Sequence, residues 1–294
     1  MKVEKNILIA FILNILFSIF ELFGGILTNS ISIISDSIHD IGDAISIGIS
    51  YALEKISKKE PDDIYTYGYA RYSVIGAVIT TALLLVGSIF IIINAVKRII
   101  NPVIINYDGM IIFALFGVIV NFLAAYFTSN GESLNQRAVN LHMLEDVLGW
   151  VVVLLGSIII KLTSISIIDP IMSILVALFI LINSLKNLKE ILDLFLEKIP
   201  NNISINEIKK HLMSIDNIKD IHHIHIWSID GINNYATMHV VVLKNDCKVK
   251  DKIREELTNH GINHVTIEIE NISEKCSETS CHINKKQASH HHHH

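Results

Sequence analysis

Residues 35–46, SDSIHDIGDAIS, place Asp36, His39, Asp40 and Asp43 in a stretch that otherwise has the apolarity of a membrane span. A charged side chain at the bilayer centre costs about 2.5–3.5 kcal/mol on insertion scales, so several in one segment require a compensating partner. Residues four apart share a helical face, and His39 and Asp43 have that spacing. The pair recurs further along as His142 and Asp146, within HMLED. Two helices that each offer an imidazole and a carboxylate can meet as a four-ligand N2O2 cage, a donor set that suits tetrahedral Zn2+. A bound divalent cation offsets the cost of burying its carboxylates. One such pair alone also reads as a helix–helix hydrogen bond; its repetition in two spans favours the cage.

Composition supports spans on either side. The chain has 294 residues, 51% hydrophobic and 18% charged, with a mean hydropathy of +0.47, outside the range of a soluble domain of this size. Apolar segments of the roughly 20 residues that cross a hydrocarbon core of about 30 Å lie at approximately 7–27, 31–53, 74–96, 110–128, 140–160 and 167–185. The first is too long for a signal h-region and reads as a retained helix. Lys2, Lys5, Lys55, Lys58, Lys59, Arg71, Arg137, Lys186 and Lys189 fall on one side, against Lys97, Arg98 and Lys161 on the other. The positive-inside rule therefore predicts cytoplasmic N- and C-termini, and the cell membrane is the expected location. Net charge is −5 without a long block of one sign, which argues against nucleic acid as a partner. The terminal histidines 290–294 resemble an expression tag.

From about Pro200 the composition becomes that of a soluble protein. SINEIKKHLMSI has helical period, DIHHIHIWSI and NYATMHVVVL alternate as strands, VKDKIREELTNH is helical, and HVTIEIE alternates. This α-β-β-α-β order predicts a small two-layer α+β domain with antiparallel pairing, placed in the cytoplasm. The expected division is 1–199 for a six-helix transmembrane domain, 200–284 for the cytoplasmic domain, and 285–294 for tail and tag. Cys247, Cys276 and Cys281 match no disulfide framework, which fits a reducing compartment at that end.

FELFGGILTNSISIISDSIHDIGDAIS, YTYGYARYSVIGAVI, HMLEDVLGWVVVLLGSIII, IIDPIMSILVALFIL and IHHIHIWSI followed by ATMHVVV together resemble the cation diffusion facilitator family, in its zinc-transporting branch. The similarity runs from about Ile7 to Glu270. It implies an α-helical membrane protein of six transmembrane helices followed by a small cytoplasmic ferredoxin-like α+β domain. It further implies a homodimer that exports Zn2+, or alternatively Cd2+, Co2+ or Fe2+, in exchange for protons by alternating access. The family's transport ligands fall on His39, Asp43, His142 and Asp146. By the same resemblance His222 and His239, with Glu268 or Glu270, fall where the family binds regulatory metal. The tail adds Cys276, Cys281 and His282, soft ligands that suit zinc.

The sequence also departs from the family. Members with a metal site after the second helix carry aspartate and histidine there. Here Asp62 and Asp63 are followed by Tyr65, Tyr67 and Tyr69, so no loop site is expected. The histidine-rich loop between the fourth and fifth helices is replaced by TSNGESLNQRAVN. Strand alternation sends His223 and His225 to one face and His222 to the other, so one strand is not expected to give all three to one ion. His211, His260 and His264 read as surface histidines. Asp36 is read as lining an access path and Asp40 as pairing with another helix. Glu145, Glu21, Asn14 and Asn121 either line the same cavity or hold helices together. Two readings from other classes remain: an intramembrane metallohydrolase with Glu145 as base, which would need an open metal position, and a metal-sensing receptor.

Overall fold

The computed structural model describes residues 2–28, 31–101, 110–129, 133–163, 167–244 and 247–273. The chain divides into two compact units that meet in sequence at Leu196 and Glu197. The first holds six long helices: α1 (Lys2–Thr28), α2 (Ile31–Ile56), α3 (Arg71–Ile100), α4 (Met110–Thr128), α5 (Leu134–Thr163) and α6 (Ile168–Phe195). Several outrun the apolar spans, α6 by ten residues. At 1.5 Å per residue, 30 residues extend about 45 Å, so these helices continue beyond a hydrocarbon layer about 30 Å thick. Among the described residues, Glu4–Phe23, Arg71–Ile100 and Leu134–Gly156 are each long and apolar enough to cross a membrane.

The helical unit is apolar outside and polar at selected points inside. Leu16, Phe23, Val86, Phe90 and Phe122 are exposed, whereas Asn14, Ser18, Glu21, Asn121, Asn135 and Asn187 are buried. Water offers no reason for that inversion, but lipid does, since polar groups facing hydrocarbon find no partners. One apolar cluster joins Ile7 and Ala10 of α1 to Ile47 of α2, Ala124 of α4 and Val139 and Met143 of α5. A second joins Val74 and Ala77 of α3 to Ala138 of α5 and Ile191 of α6. Buried hydrogen bonds fix the same neighbours. Ser50 and Thr80 hydroxyls are 2.7 Å apart, Asn135 Nδ2 donates to Ser50 O at 3.0 Å and Glu54 Oε2 at 3.2 Å, and Asn187 Nδ2 donates to Thr81 Oγ1 at 2.7 Å.

Trp150 of α5 lies flat enough on α4 that a Cβ built at Gly117 would stand 2.4 Å from its ring. Only glycine permits that approach, the close packing by which membrane helices gain van der Waals contact.

The second unit contains α7 (Ile205–Met213), β1 (Ile218–Ser228), β2 (Asn234–Val242), α8 (Cys247–Asn259) and β3 (His264–Asn271), the element order expected. Ser204 caps α7 by accepting from Glu207 N at 3.4 Å, the Ser-x-x-Glu arrangement of a capping box. Gly261, at φ +77°, ends α8. Its N–H donates to Thr258 O at 2.9 Å, and Ile262 N donates to Leu257 O at 2.9 Å. That is a Schellman closure, which needs a left-handed residue where glycine has no steric cost. The sheet order is β1-β2-β3, with β1 and β2 antiparallel and β2 and β3 parallel across the α8 connection. Ile208, Leu212, Ile253 and Leu257 from the helices pack on Ile221, Met238 and Val240 from the sheet. The other face of the sheet carries His239, Glu268 and Glu270.

Alanine at position 117 should overpack the α4–α5 contact, lowering stability by about 1–2 kcal/mol after its helix-propensity gain is counted. In detergent the apparent Tm of Gly117→Ala should fall, and adding Trp150→Leu should cost less than the sum of the two single changes. Full additivity would place the strain elsewhere.

Candidate metal centre

Asp43 of α2 and His142 and Asp146 of α5 converge, each offering a ligand atom within 4.8 Å of the others. The α5 pair shares one face because its members are one turn apart. His142 is buried, and its Nε2 lies 3.7 Å from Asp43 Oδ2. That separation is too long for a hydrogen bond, and this buried nitrogen has no hydrogen-bond partner. Tetrahedral zinc with bonds near 2.0–2.1 Å separates its ligand atoms by about 3.3–3.4 Å, close to the gap observed. His39 Cα stands one turn before Asp43 on α2, while the side chains of His39 and Asp36 lie outside the described residues.

The other polar residues of the bundle differ in whether they touch this centre. Asn14 of α1 donates through Nδ2 to Asp146 Oδ2 at 3.3 Å, so it touches the centre and orients that carboxylate. Glu145 Oε2 is 4.0 Å from His142 Nδ1, and Asp40 is close enough for its charge to act on Asp146. Asn121 instead donates to Gly117 O in its own helix at 3.1 Å. Glu21 is buried in α1.

In the second unit, strand alternation gives the wrong grouping of histidines. His222 pairs with His239 and His225 with Thr237, so three residues of β1 span what two of β2 span. This is a bulge, which inserts one residue and resets the alternation beyond it. His222 and His225 consequently share a face, against the expected separation. His223 adopts φ +50°, and its ring centroid lies 4.8 Å from that of His239 and 5.4 Å from that of His222.

His222, His239 and Glu270 form the resulting cluster. His239 Nδ1 contacts Glu270 Oε1 at 2.6 Å, and His239 Nε2 lies 3.2 Å from Glu268 Oε2. His222 Nε2 is 3.4 Å from Glu270 Oε2, and both atoms are buried without a hydrogen-bond partner. Two imidazoles and a carboxylate with such orphaned atoms fit a borderline divalent metal. Cys276, Cys281 and His282 lie outside the described residues.

The loop before α3 has another use for its aspartate. Asp62 Oδ1 accepts from Ile64 N at 2.9 Å and Tyr65 N at 2.7 Å, and Oδ2 accepts from Tyr69 Oη at 2.6 Å. The Tyr65 amide, the Tyr69 hydroxyl and the Ile64 amide hold the Asp62 carboxyl below its usual range. The same carboxylate pushes the Tyr69 hydroxyl up to about 12. His264 rests beside Tyr235, ring centroids 5.4 Å apart. His211 and His260, read from the sequence as surface histidines, meet with ring centroids 5.0 Å apart.

The chain matches the cation efflux transmembrane domain over residues 7–196 and the cytoplasmic domain of cation efflux proteins over residues 200–272. The chain belongs to the cation diffusion facilitator family. It is 33% identical to the cadmium, cobalt and zinc/H(+)-K(+) antiporter of Bacillus subtilis, over 91% of this chain and 89% of the relative. It is 34% identical to the zinc transporter ZitB of Yersinia pseudotuberculosis, over 96% and 92%. Identity to the metal cation efflux system protein CzcD of Cupriavidus metallidurans is 30%, over 97% and 92%. These relatives are transporters, so the family supports neither the hydrolase nor the receptor alternative. In this family setting the fold is a transmembrane helical domain followed by a cytoplasmic α+β domain.

Two outcomes follow from this geometry. Asp62's lowered pKa makes its contribution complete above the ordinary carboxylate value, about 3.9, and lost as pH falls through the lowered value. Tyr69's raised pKa makes its contribution complete below about 10 and lost as pH rises through about 12. Asp62→Asn should return Tyr69 toward pKa 10, read as an earlier tyrosinate absorbance change; an unmoved titration would exclude the contact. In the cytoplasmic domain, His239→Ala with Glu270→Gln should remove one zinc per protomer from the full-length chain lacking residues 290–294. Unchanged zinc content at equilibrium dialysis would leave that cluster a purely structural hydrogen-bond network.

Proposed function

We propose that this chain exports Zn2+ from the cytoplasm in exchange for protons. The observation that carries the reading is the convergence of partly buried Asp43 and Asp146 on buried His142, at a gap suited to an ion. In this reading His39, one helical turn from Asp43, supplies the fourth ligand. Imidazole binds metal only when neutral and a carboxylate only when ionised, so proton and metal exclude each other at one set of atoms. Exposure of that set first to one side and then to the other makes exclusion into exchange. The relatives' names support both halves, since one is called a cadmium, cobalt and zinc/H(+)-K(+) antiporter and another a zinc transporter.

The two histidines are the source of zinc preference, because imidazole suits Zn2+ whereas all-oxygen sites favour harder ions. Cd2+ and Co2+, named for the Bacillus relative, are the further cargoes this donor set would accept. We take the chain to act as a homodimer in the cell membrane with both termini cytoplasmic, residues 1–199 forming the transport domain and 200–284 the cytoplasmic domain. His222, His239, Glu268 and Glu270 serve there as a regulatory zinc site, with Cys276, Cys281 and His282 of the tail as further ligands.

In proteoliposomes, Asp43→Asn and His142→Ala should each lower zinc flux by more than about 100-fold, the loss that even outer partners of a metal ligand can produce. Both variants should remain folded at normal abundance. Acidifying the release side should accelerate export by the unmutated chain. Full flux in either variant would remove the ligand assignment, and flux indifferent to the proton gradient at fixed membrane potential would replace exchange with facilitated diffusion.

A further inference from the structure

His211, near the end of α7, faces Glu256 of α8 and His260 just past its end, on the helical side of the sheet, opposite the face that carries His222, His239 and Glu270. His211 Nδ1 lies 2.9 Å from His260 Nε2 and 3.1 Å from Glu256 Oε1. His260 Nε2 lies 3.2 Å from the same Glu256 oxygen. Three ligand-type atoms thus form a nearly equilateral triangle.

Protons alone do not satisfy this triangle. A carboxylate oxygen brings none, and each imidazole nitrogen brings at most one, so three short contacts share two protons at most. If both nitrogens are protonated and donate to Glu256, their own N–H groups oppose each other at 2.9 Å. If only one is protonated, the lone pair of the other nitrogen is left facing the carboxylate. A cation bound to all three atoms removes the conflict at once.

The dimensions suit zinc. Tetrahedral bonds of 2.0–2.1 Å hold ligand atoms about 3.3–3.4 Å apart, a few tenths of an ångström beyond the observed edges. An ion would sit about 1 Å out of the triangle's plane, leaving a fourth position for water. The ligands stand on well-anchored backbone. Glu256 lies in the last turn of α8 and His260, whose N–H donates to Glu256 O, directly follows that helix beside buried Ile253 and Leu257 and precedes the Gly261 closure. His211 adjoins buried Leu212. The side chains are 51%, 30% and 23% exposed for His211, Glu256 and His260 respectively, so an ion can reach them from solvent.

We propose that His211, Glu256 and His260 form a second metal site of the cytoplasmic domain, one that takes a borderline divalent cation such as Zn2+ and staples α7 to α8. Its ligands are distinct from the transport cage and from the His222–His239–Glu270 cluster, so it stands or falls independently of the proposed transport cycle.

The test uses the full-length chain lacking residues 290–294. At saturating Zn2+, the double variant His211→Asn, His260→Gln should bind one zinc per protomer fewer than its parent by equilibrium dialysis and metal analysis. In the parent, Zn2+ should protect His211 and His260 together from diethylpyrocarbonate, read by peptide mass spectrometry, and Glu256→Gln should weaken that protection. Equal zinc content in parent and double variant would overturn the site. Should the double variant not fold, the labelling decides: equal modification of His211 and His260 with and without zinc overturns the proposal.

Discussion

Burying carboxylates among apolar helices is the constraint on which this structure turns. Asp43 and Asp146 stand in helices whose outer surfaces carry Ile45 and Ile49 on α2, and Leu155 and Ile158 on α5, toward lipid. Each ionised carboxylate left alone there would oppose insertion. Their convergence with His142 places the costs at one point, where a divalent cation can offset them together. In the proposed cycle, the requirement for a cation at this point and the capacity to carry one are the same physical fact.

Around that point the bundle is held by contacts that work without water. Gly117 lets Trp150 lie against α4, and Asn135 joins α5 to α2 through Ser50 and Glu54. Asn14 ties α1 to the Asp146 carboxylate. Hydrogen bonds of this kind contribute about 0.6 kcal/mol on average in membranes, with larger values in some model peptides. Their role is therefore more to set which helices meet than to supply the bulk of stability. Movement between arrangements exposed to one side and the other is compatible with many such modest contacts.

The soluble domain uses its two faces differently. One side of the sheet is covered by α7 and α8 over Ile221, Met238 and Val240. The other gathers His222, His239, Glu268 and Glu270. A two-layer domain this small has few buried side chains, and the proposed metal ligation would add cross-links that a limited apolar core does not provide. Asp62, by contrast, spends both oxygens on amides and the Tyr69 hydroxyl, and acts as the organiser of its loop.

The sequence determined the helices, the α-β-β-α-β order and the choice of Asp43, His142 and Asp146, because each is written in a short period: 20 apolar residues for a span, two for a strand, four for a helical face. Alternation failed at His222, His223 and His225 because an inserted residue is invisible to a period of two until the partner strand supplies the register. Only that register places His222 opposite His239. The chain shows Glu256 and His260 as a four-residue pair in EELTNH, but no local pattern links them to His211 on another helix. That meeting depends on how α7 and α8 pack over one apolar core, and packing between elements distant in sequence is decided only when the tertiary structure forms.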